Sequence, residues 1–159
     1  LNYLPNILAC KNFIKDILPK IRIKIPNIKF CIIGDIKDND RSHLSKYNNV
    51  EILGMKKDIS KYAKNSICGI ANLSIATGVQ VKVLTYMTYG LPVICSDQVA
   101  KNFDKNVLTY KSNSDLIDKI IKLKNKKNFW NSFSKKSYFY VKKFKWKNIS
   151  KKYFKIVDA

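Results

Sequence analysis

Arginine, glutamate and histidine are almost missing from this chain. Its 159 residues hold two Arg (Arg22 and Arg41), one Glu (Glu51) and one His (His43). Arg is the side chain best shaped for bidentate recognition of phosphates and base edges, so its scarcity argues against a dedicated nucleic-acid reader. His43 stands in a polar stretch, residues 35–49, with no companion at metal-ligand spacing, and reads as solvated. The four cysteines, Cys10, Cys31, Cys68 and Cys95, contain no C-x-x-C pair and are too sparse for a disulfide scaffold. Cys31, Cys68 and Cys95 sit in apolar, strand-like runs, so the expectation is buried, reduced thiols in a cytosolic protein rather than metal or redox ligands. No apolar run approaches the roughly 18 residues needed to span a bilayer. No charged-then-apolar leader opens the chain, which begins at Leu1 rather than Met and is expected to be a piece of something longer. With 46% hydrophobic residues it is not a disordered basic tail.

What is abundant is lysine. Twenty-nine Lys, with the two Arg, against 11 acidic residues give a formal net charge of +20. Ile, Lys and Asn together supply 66 of the 159 residues. All three have A/T-rich codons, so genome composition accounts for much of the charge without a selected partner. The charge still has physical consequences: it should attract phosphates and anionic membrane faces at low salt.

Along the chain, Ile7, Leu8, Phe13, Ile14, Ile17, Leu18 and Ile21 recur at helical spacing, tolerating Pro19 and closed by Pro26. Ile28–Ile33 stopped by Gly34–Asp35 reads as a short buried strand, and a polar loop carrying Asp38, Asn39, Asp40 and Arg41 follows. Val50–Leu53 ending at Gly54 is a second strand, Asp58 can cap a short helix through Tyr62, and Ser66–Asn72 is a third strand. Val79–Tyr89 is ambiguous. Val79, Gln80, Val81, Lys82 and Val83 alternate like a strand, yet Val79, Val83, Leu84 and Met87 share a helical face that Gly90 would terminate. Leu91–Cys95 and Val107–Tyr110 complete the strands, with Asp97 placed to cap one helix and Asn113 or Ser114 the next. Asn128–Val157 reads as two Lys- and aromatic-rich helices hinged near Lys145. Short strands alternating with helices predict one α/β domain over residues 1–159, a doubly wound parallel sheet with C-terminal helices.

The stretch from Asn72 to Asp97 carries the chemistry. A strand enters the loop Ile75–Ala76–Thr77–Gly78, a helix follows, and Gly90–Leu91–Pro92 turns into the next strand. In such sheets ligands bind at the carboxyl ends of strands, and a helix N-terminus there presents free N–H groups to an anion. Gly78 would allow a phosphate to approach closely, and Lys82, one turn in, could add a point charge. By itself a glycine before a helix is equally compatible with a structural turn.

Thr77–Gly78–Val79–Gln80–Val81–Lys82–Val83–Leu84–Thr85–Tyr86–Met87–Thr88–Tyr89–Gly90–Leu91–Pro92–Val93–Ile94 resembles the donor-site segment of the group 1 glycosyltransferases, glycosyltransferase family 4. Tyr3–Leu4–Pro5–Asn6 with Ile17–Leu18–Pro19, Pro26–Gly34, Val50–Gly54 with Asp58 and Tyr62, and Phe144–Ile149 are similar to further segments of that family, in the same order. The resemblance implies a Rossmann-like half of a GT-B enzyme: the donor-binding domain, lacking its first strand and the N-terminal acceptor domain, which would be its partner. It implies transfer of a sugar from a UDP- or GDP-linked donor to an envelope polysaccharide or glycolipid. Thr77, Gly78, Val79, Lys82 and Thr85 would bind the donor, with no catalytic residue assigned and no metal or other cofactor. The family's two glutamates in this segment correspond to Thr77 and Thr85. A threonine offers one hydroxyl where a carboxylate accepts from both ribose hydroxyls, a difference of about 1.5–3 kcal/mol.

Lys142, Lys143, Phe144, Lys145, Trp146 and Lys147 interleave aromatics with charge, the composition of a membrane-surface or single-strand-binding segment and also of a terminal helix docking its rings on the core, the reading that the family resemblance favours. Asn72 and Ser74 could line the loop, and Tyr86 and Tyr89 could stack on a base or pack on the sheet. Two alternative functions stand beside sugar transfer: a non-catalytic remnant of the same fold, and a basic nucleic-acid-binding domain. The reduced cysteines point to the cytoplasm, the net charge to peripheral attraction to the inner face of an anionic membrane, and the scarcity of Arg to no specific nucleic acid.

Overall fold

The structure, a computed structural model, describes residues 3–144. It opens with helix α1 (Leu4–Asn12), which runs through a π-helical turn (Phe13–Ile17) into α2 (Leu18–Lys24). The π turn has a local cause. Pro19 has no N–H and its ring crowds the carbonyl four residues earlier, so the helix widens just before it, and the Leu18 N–H bonds Phe13 O, five residues back. The chain then alternates: β1 (Phe30–Ile33), α3 (Asp38–Leu44), β2 (Val50–Gly54), α4 (Ser60–Lys64), β3 (Gly69–Ala71), α5 (Val81–Thr88), β4 (Val93–Ser96), α6 (Asp97–Ala100), β5 (Leu108–Tyr110), α7 (Asn113–Asn125) and α8 (Lys127–Val141).

Every strand pair is parallel, and the fold is α/β as the sequence predicts, but the ladder is in two pieces. β1 pairs with β2, with Phe30 opposite Val50 and Cys31 opposite Glu51. β4 lies between β3 and β5, with Ile94 opposite both Ile70 and Leu108. Two helical layers cover β4. Val93 and Cys95 pack with Val83 and Met87 of α5, Val99, Phe103 and Tyr140. Ile94, on the other face, packs with Phe13, Ile17 and Ile21 and with Leu116, Ile120 and Leu123 of α7. Phe30, Val50 and Ile70 border that second cluster, so side chains rather than backbone hydrogen bonds join the two ladders on that side. A third cluster, Ile7, Ile14, Ile32, Ile36 and Leu44, holds α1 and α3 on β1.

Several local expectations change. Residues 38–41 are helical rather than a loop: Asp38 and Asp40 complement the positive end of α3, Asp40 pairs with Lys11 at 2.8 Å, and Leu44 anchors the far end in the third cluster. The cap of α7 is Ser112, whose Oγ accepts from the Asp115 N–H, rather than Asn113 or Ser114. Asp97 is the first residue of α6 and makes no side-chain cap, the preceding Ser96 holding the extended N-cap conformation. Asp58 accepts from both the N–H and the hydroxyl of Ser60, which turns the chain into α4. Cys31 is exposed, not buried, because it lies on the face of β1 opposite Ile32, turned toward Glu51. His43 is exposed, with its ring edge-on to Tyr47. The second of the two C-terminal helices expected from the sequence lies outside the described residues.

Candidate functional site

The ambiguous segment is a helix, and it begins at Val81 with Gln80 as N-cap. Gln80 Nε2 donates to Thr77 O at 3.2 Å, closing the turn before it. The amides of a helical anion site are therefore those of Val81 and Lys82, three residues later than the Gly78–Val79 position read from the sequence. Thr77, Gly78 and Val79 form an exposed loop between β3 and that first turn. Gly78 has φ +64°, and nothing lies within 4 Å of where its Cβ would be. The glycine is needed for the left-handed backbone, not for local packing, and it leaves open space directly before the helix.

This loop is held at several points. Ser96 Oγ donates to Leu73 O, which ties the end of β4 to the chain leaving β3. Asn72 Nδ2 donates to Ala9 O at 2.9 Å, fixing the same exit against α1, while Ser74 is exposed. Asn102 Nδ2 donates to Gly78 O at 3.0 Å, and Tyr140 of α8 donates to Asn102 O at 3.1 Å. Sequence reasoning missed Asn102 and Tyr140. Nothing local marks them, because each acts on a segment 24 or 38 residues away.

Lys82 is turned toward α1. Its ammonium donates to Asn6 Oδ1 and lies near Cys10, and desolvation holds its pKa below the ordinary lysine value. Burial pushes the Cys10 thiol up to about 11, so at neutral pH it is a neutral neighbour that does not compensate the ammonium. Lys82 thus sits at the start of α5 as a half-buried cation with one neutral partner. Thr85 donates to Val81 O at 3.0 Å, within its own helix, leaving its oxygen lone pairs as acceptors. Tyr86 does not stack outward: its ring lies under Gly69, where a Cβ would come within 2.3 Å of it, and burial raises its phenol to about 12. Tyr89 points away from the loop and donates to Asp58 at 3.1 Å. Among the described residues no cluster of three or more His, Cys, Asp or Glu could hold a metal ion.

The sequence model of the glycosyl transferases group 1 family matches residues 2–126, most of the chain. The chain belongs to the group 1 glycosyltransferases. Among curated relatives of this family, an uncharacterized glycosyltransferase of Methanocaldococcus jannaschii is 33% identical over 105 residues, which is 62% of this chain and 25% of that protein. Solved GT-B glycosyltransferases share the fold. TarM superposes with a TM-score of 0.69 at 20% identity, over 88% of this chain and 30% of its own. The Anabaena protein HepE, in complex with UDP and glucose, gives 0.69 at 12% identity, over 87% and 44%. The pneumococcal O-GlcNAc transferase GtfA, in complex with UDP and GlcNAc, gives 0.65 at 19% identity, over 87% and 31%. This group 1 chain therefore spans a quarter to under half of the lengths of these relatives. No helix among the described residues is long and apolar enough to cross a membrane.

Proposed function

We propose that this chain is the donor-binding half of a glycosyltransferase that moves a sugar from a UDP- or GDP-linked donor to an envelope polysaccharide or glycolipid. The observation that carries this reading is the open, positive-φ Gly78 in the loop that leads from the carboxyl end of β3 to the first turn of α5. The group 1 family match supports it, as do the UDP complexes of two proteins of the same fold.

In this reading the diphosphate lies over Gly78 and accepts from the Val81 and Lys82 amides, along the positive end of the α5 dipole. Lys82 swings from Asn6 to the phosphates, which relieves an ammonium now desolvated against one neutral acceptor. Donors fixed where charge develops on the departing diphosphate lower the barrier to its departure. Thr77 and Thr85 face the sugar and ribose hydroxyls as single-hydroxyl partners. The acceptor is supplied by a partner domain, so turnover requires both halves, and the work is done on the cytoplasmic side, where nucleotide sugars are available.

Calorimetric titration with UDP, GDP and UDP-glucose at about 0.3 M salt, where the attraction of a +20 surface is screened, tests the reading. Saturable binding with a base preference, weakened at least tenfold by Gly78→Asp, is the expected result. A folded chain that binds none of the three at millimolar concentration overturns it. One observation favours a second reading, a binding module without turnover: Thr85 spends its single proton on its own helix, and no carboxylate stands at 77 or 85. Binding that persists while sugar transfer stays absent in the presence of an acceptor-domain partner would select that reading.

A further inference from the structure

We propose that the outer face of α8 is a docking surface for an anionic lipid bilayer. The helix covers Lys127–Val141 and contains no Asp or Glu. Its inner side is committed to the core: Ser137 and Tyr140 are buried, Trp130 donates to Ile67 O, and Phe133 borders the second cluster. The outer side carries an unusual pair of neighbours for water. Phe139 is 62% exposed and Tyr138 47%, whereas Phe144 in the next turn packs its ring against Tyr140. Lys135 and Lys136 are exposed one turn earlier, and Lys142 and Lys143 come directly after the helix. Aromatic rings flanked by lysines on one helical face suit the boundary between headgroups and acyl chains. There the rings bury apolar area and each lysine gains from the negative surface potential.

The same composition could serve a single-stranded nucleic acid, and the ring geometry decides between the two. Tyr138 and Phe139 meet edge to face at 69°, and the Lys142 ammonium lies 4.3 Å from the Tyr138 centroid and 5.2 Å from that of Phe139. The ammonium lies over one face of each ring and so reduces the surface on which a base could stack. A bilayer needs only ring edges and flanking cations, both of which are presented here. Both arginines lie elsewhere, at positions 22 and 41. The face is continuous with a shallow hollow of about 310 Å³ between the end of α5 and α8, lined by Tyr89, Gly90, Ser134, Lys135 and Tyr138, which gives a headgroup room beside the helix. Asp58, the acidic side chain beside this hollow, accepts from Ser60 and Tyr89, which hold it ionised, and the exposed Lys135 and Lys136 outnumber it.

The test is co-sedimentation with vesicles of about 30% phosphatidylglycerol in phosphatidylcholine, against phosphatidylcholine alone, at about 0.1 M salt. The expected result is binding to the anionic vesicles only. Lys135→Glu with Lys136→Glu should weaken it roughly tenfold or more. A charge-matched control, Lys15→Glu in the π-helical turn with Lys20→Glu in α2, both exposed, should stay within about threefold of the parent. Phe139→Ser, which leaves charge unchanged, should weaken binding several-fold, and Phe139→Trp should show a blue-shifted emission on the vesicles. Thermal melts confirm that each variant is folded. Equal losses for the two charge pairs, an unaffected Phe139→Ser, or tighter binding to a single-stranded oligonucleotide than to vesicles at the same salt would each overturn the proposal.

Discussion

The two ladders of this molecule are built from strands of similar length and end up very different. In the three-stranded ladder, Val93, Ile94 and Cys95 of β4 are fully buried. In the two-stranded one, every residue of β2 is only partly covered, and Cys31 of β1 is exposed. The cause is position rather than sequence hydrophobicity. β4 has a strand on each side and helices on both faces, whereas β1 and β2 have each other and a helical layer on the Ile32 side. The glycine loop and the start of α5 grow from the first ladder. The proposed phosphate site would rest on preorganised backbone, and this is the more deeply buried ladder.

This contrast can be broken by substitution. Ile94→Ala should cost about 2–5 kcal/mol in urea unfolding, while Leu53→Ala in β2 should cost under about 1.5, since half-exposed methyl groups leave little cavity. Similar losses at both sites would show that the ladders are equally packed. Gly69→Ala is next. Its Cβ would meet the Tyr86 ring at 2.3 Å, and β3 or α5 must shift to admit it, at about 1–3 kcal/mol. Gly78→Ala meets no atom and should cost only the left-handed strain of about 1 kcal/mol.

The thiols separate the halves chemically. Burial pushes Cys95 up to about 12 and Cys10 to about 11, against an ordinary value of 9.0. Their folded pKa values lie above the unfolded one, so the folded state retains protons that the unfolded chain releases. Their contribution to stability is complete below pH 9 and falls as pH rises toward 12, by up to about 1.4 kcal/mol per pH unit for each thiol. Alkaline unfolding followed by circular dichroism should show that fall, and Cys95→Ala should make it shallower. An aromatic disulfide reagent should label Cys31 in the folded protein and Cys95 only on unfolding; equal rates would contradict the burial difference. Asn102→Ala should change stability as little as Gly78→Ala does, by about 1 kcal/mol, because one hydrogen bond to an exposed loop is lost. Its effect on nucleotide affinity should be larger in proportion, since Gly78 is then no longer held to α6 and α8 through Asn102 and Tyr140.

Much of this was legible in the sequence. Ile28–Ile33, Val50–Gly54 and Leu91–Cys95 announce their strands, and Gly90, at φ +68°, ends α5 as a C-terminal glycine should. Other features were not. The α3 segment carries one apolar anchor, Leu44, too little for periodicity to show. The division of the ladder is invisible because strand hydrophobicity does not say which edge finds a neighbour. For the same reason Cys31, in a run as apolar as that around Cys95, was expected to be buried. At the site, Gly78, Lys82 and Thr85 could be singled out from local pattern. The inward turn of Lys82 to Asn6 could not, nor could the Asn102 contact, because both depend on chain segments brought together only by folding.

The central claim is that the three-stranded half alone holds a nucleotide. Amide hydrogen exchange with and without saturating UDP, followed by mass spectrometry at about 0.3 M salt, tests it most directly. The account predicts added protection in residues 73–85 and 96–102 and none in residues 30–54. Protection confined to 30–54, or none anywhere with the chain folded, would contradict it.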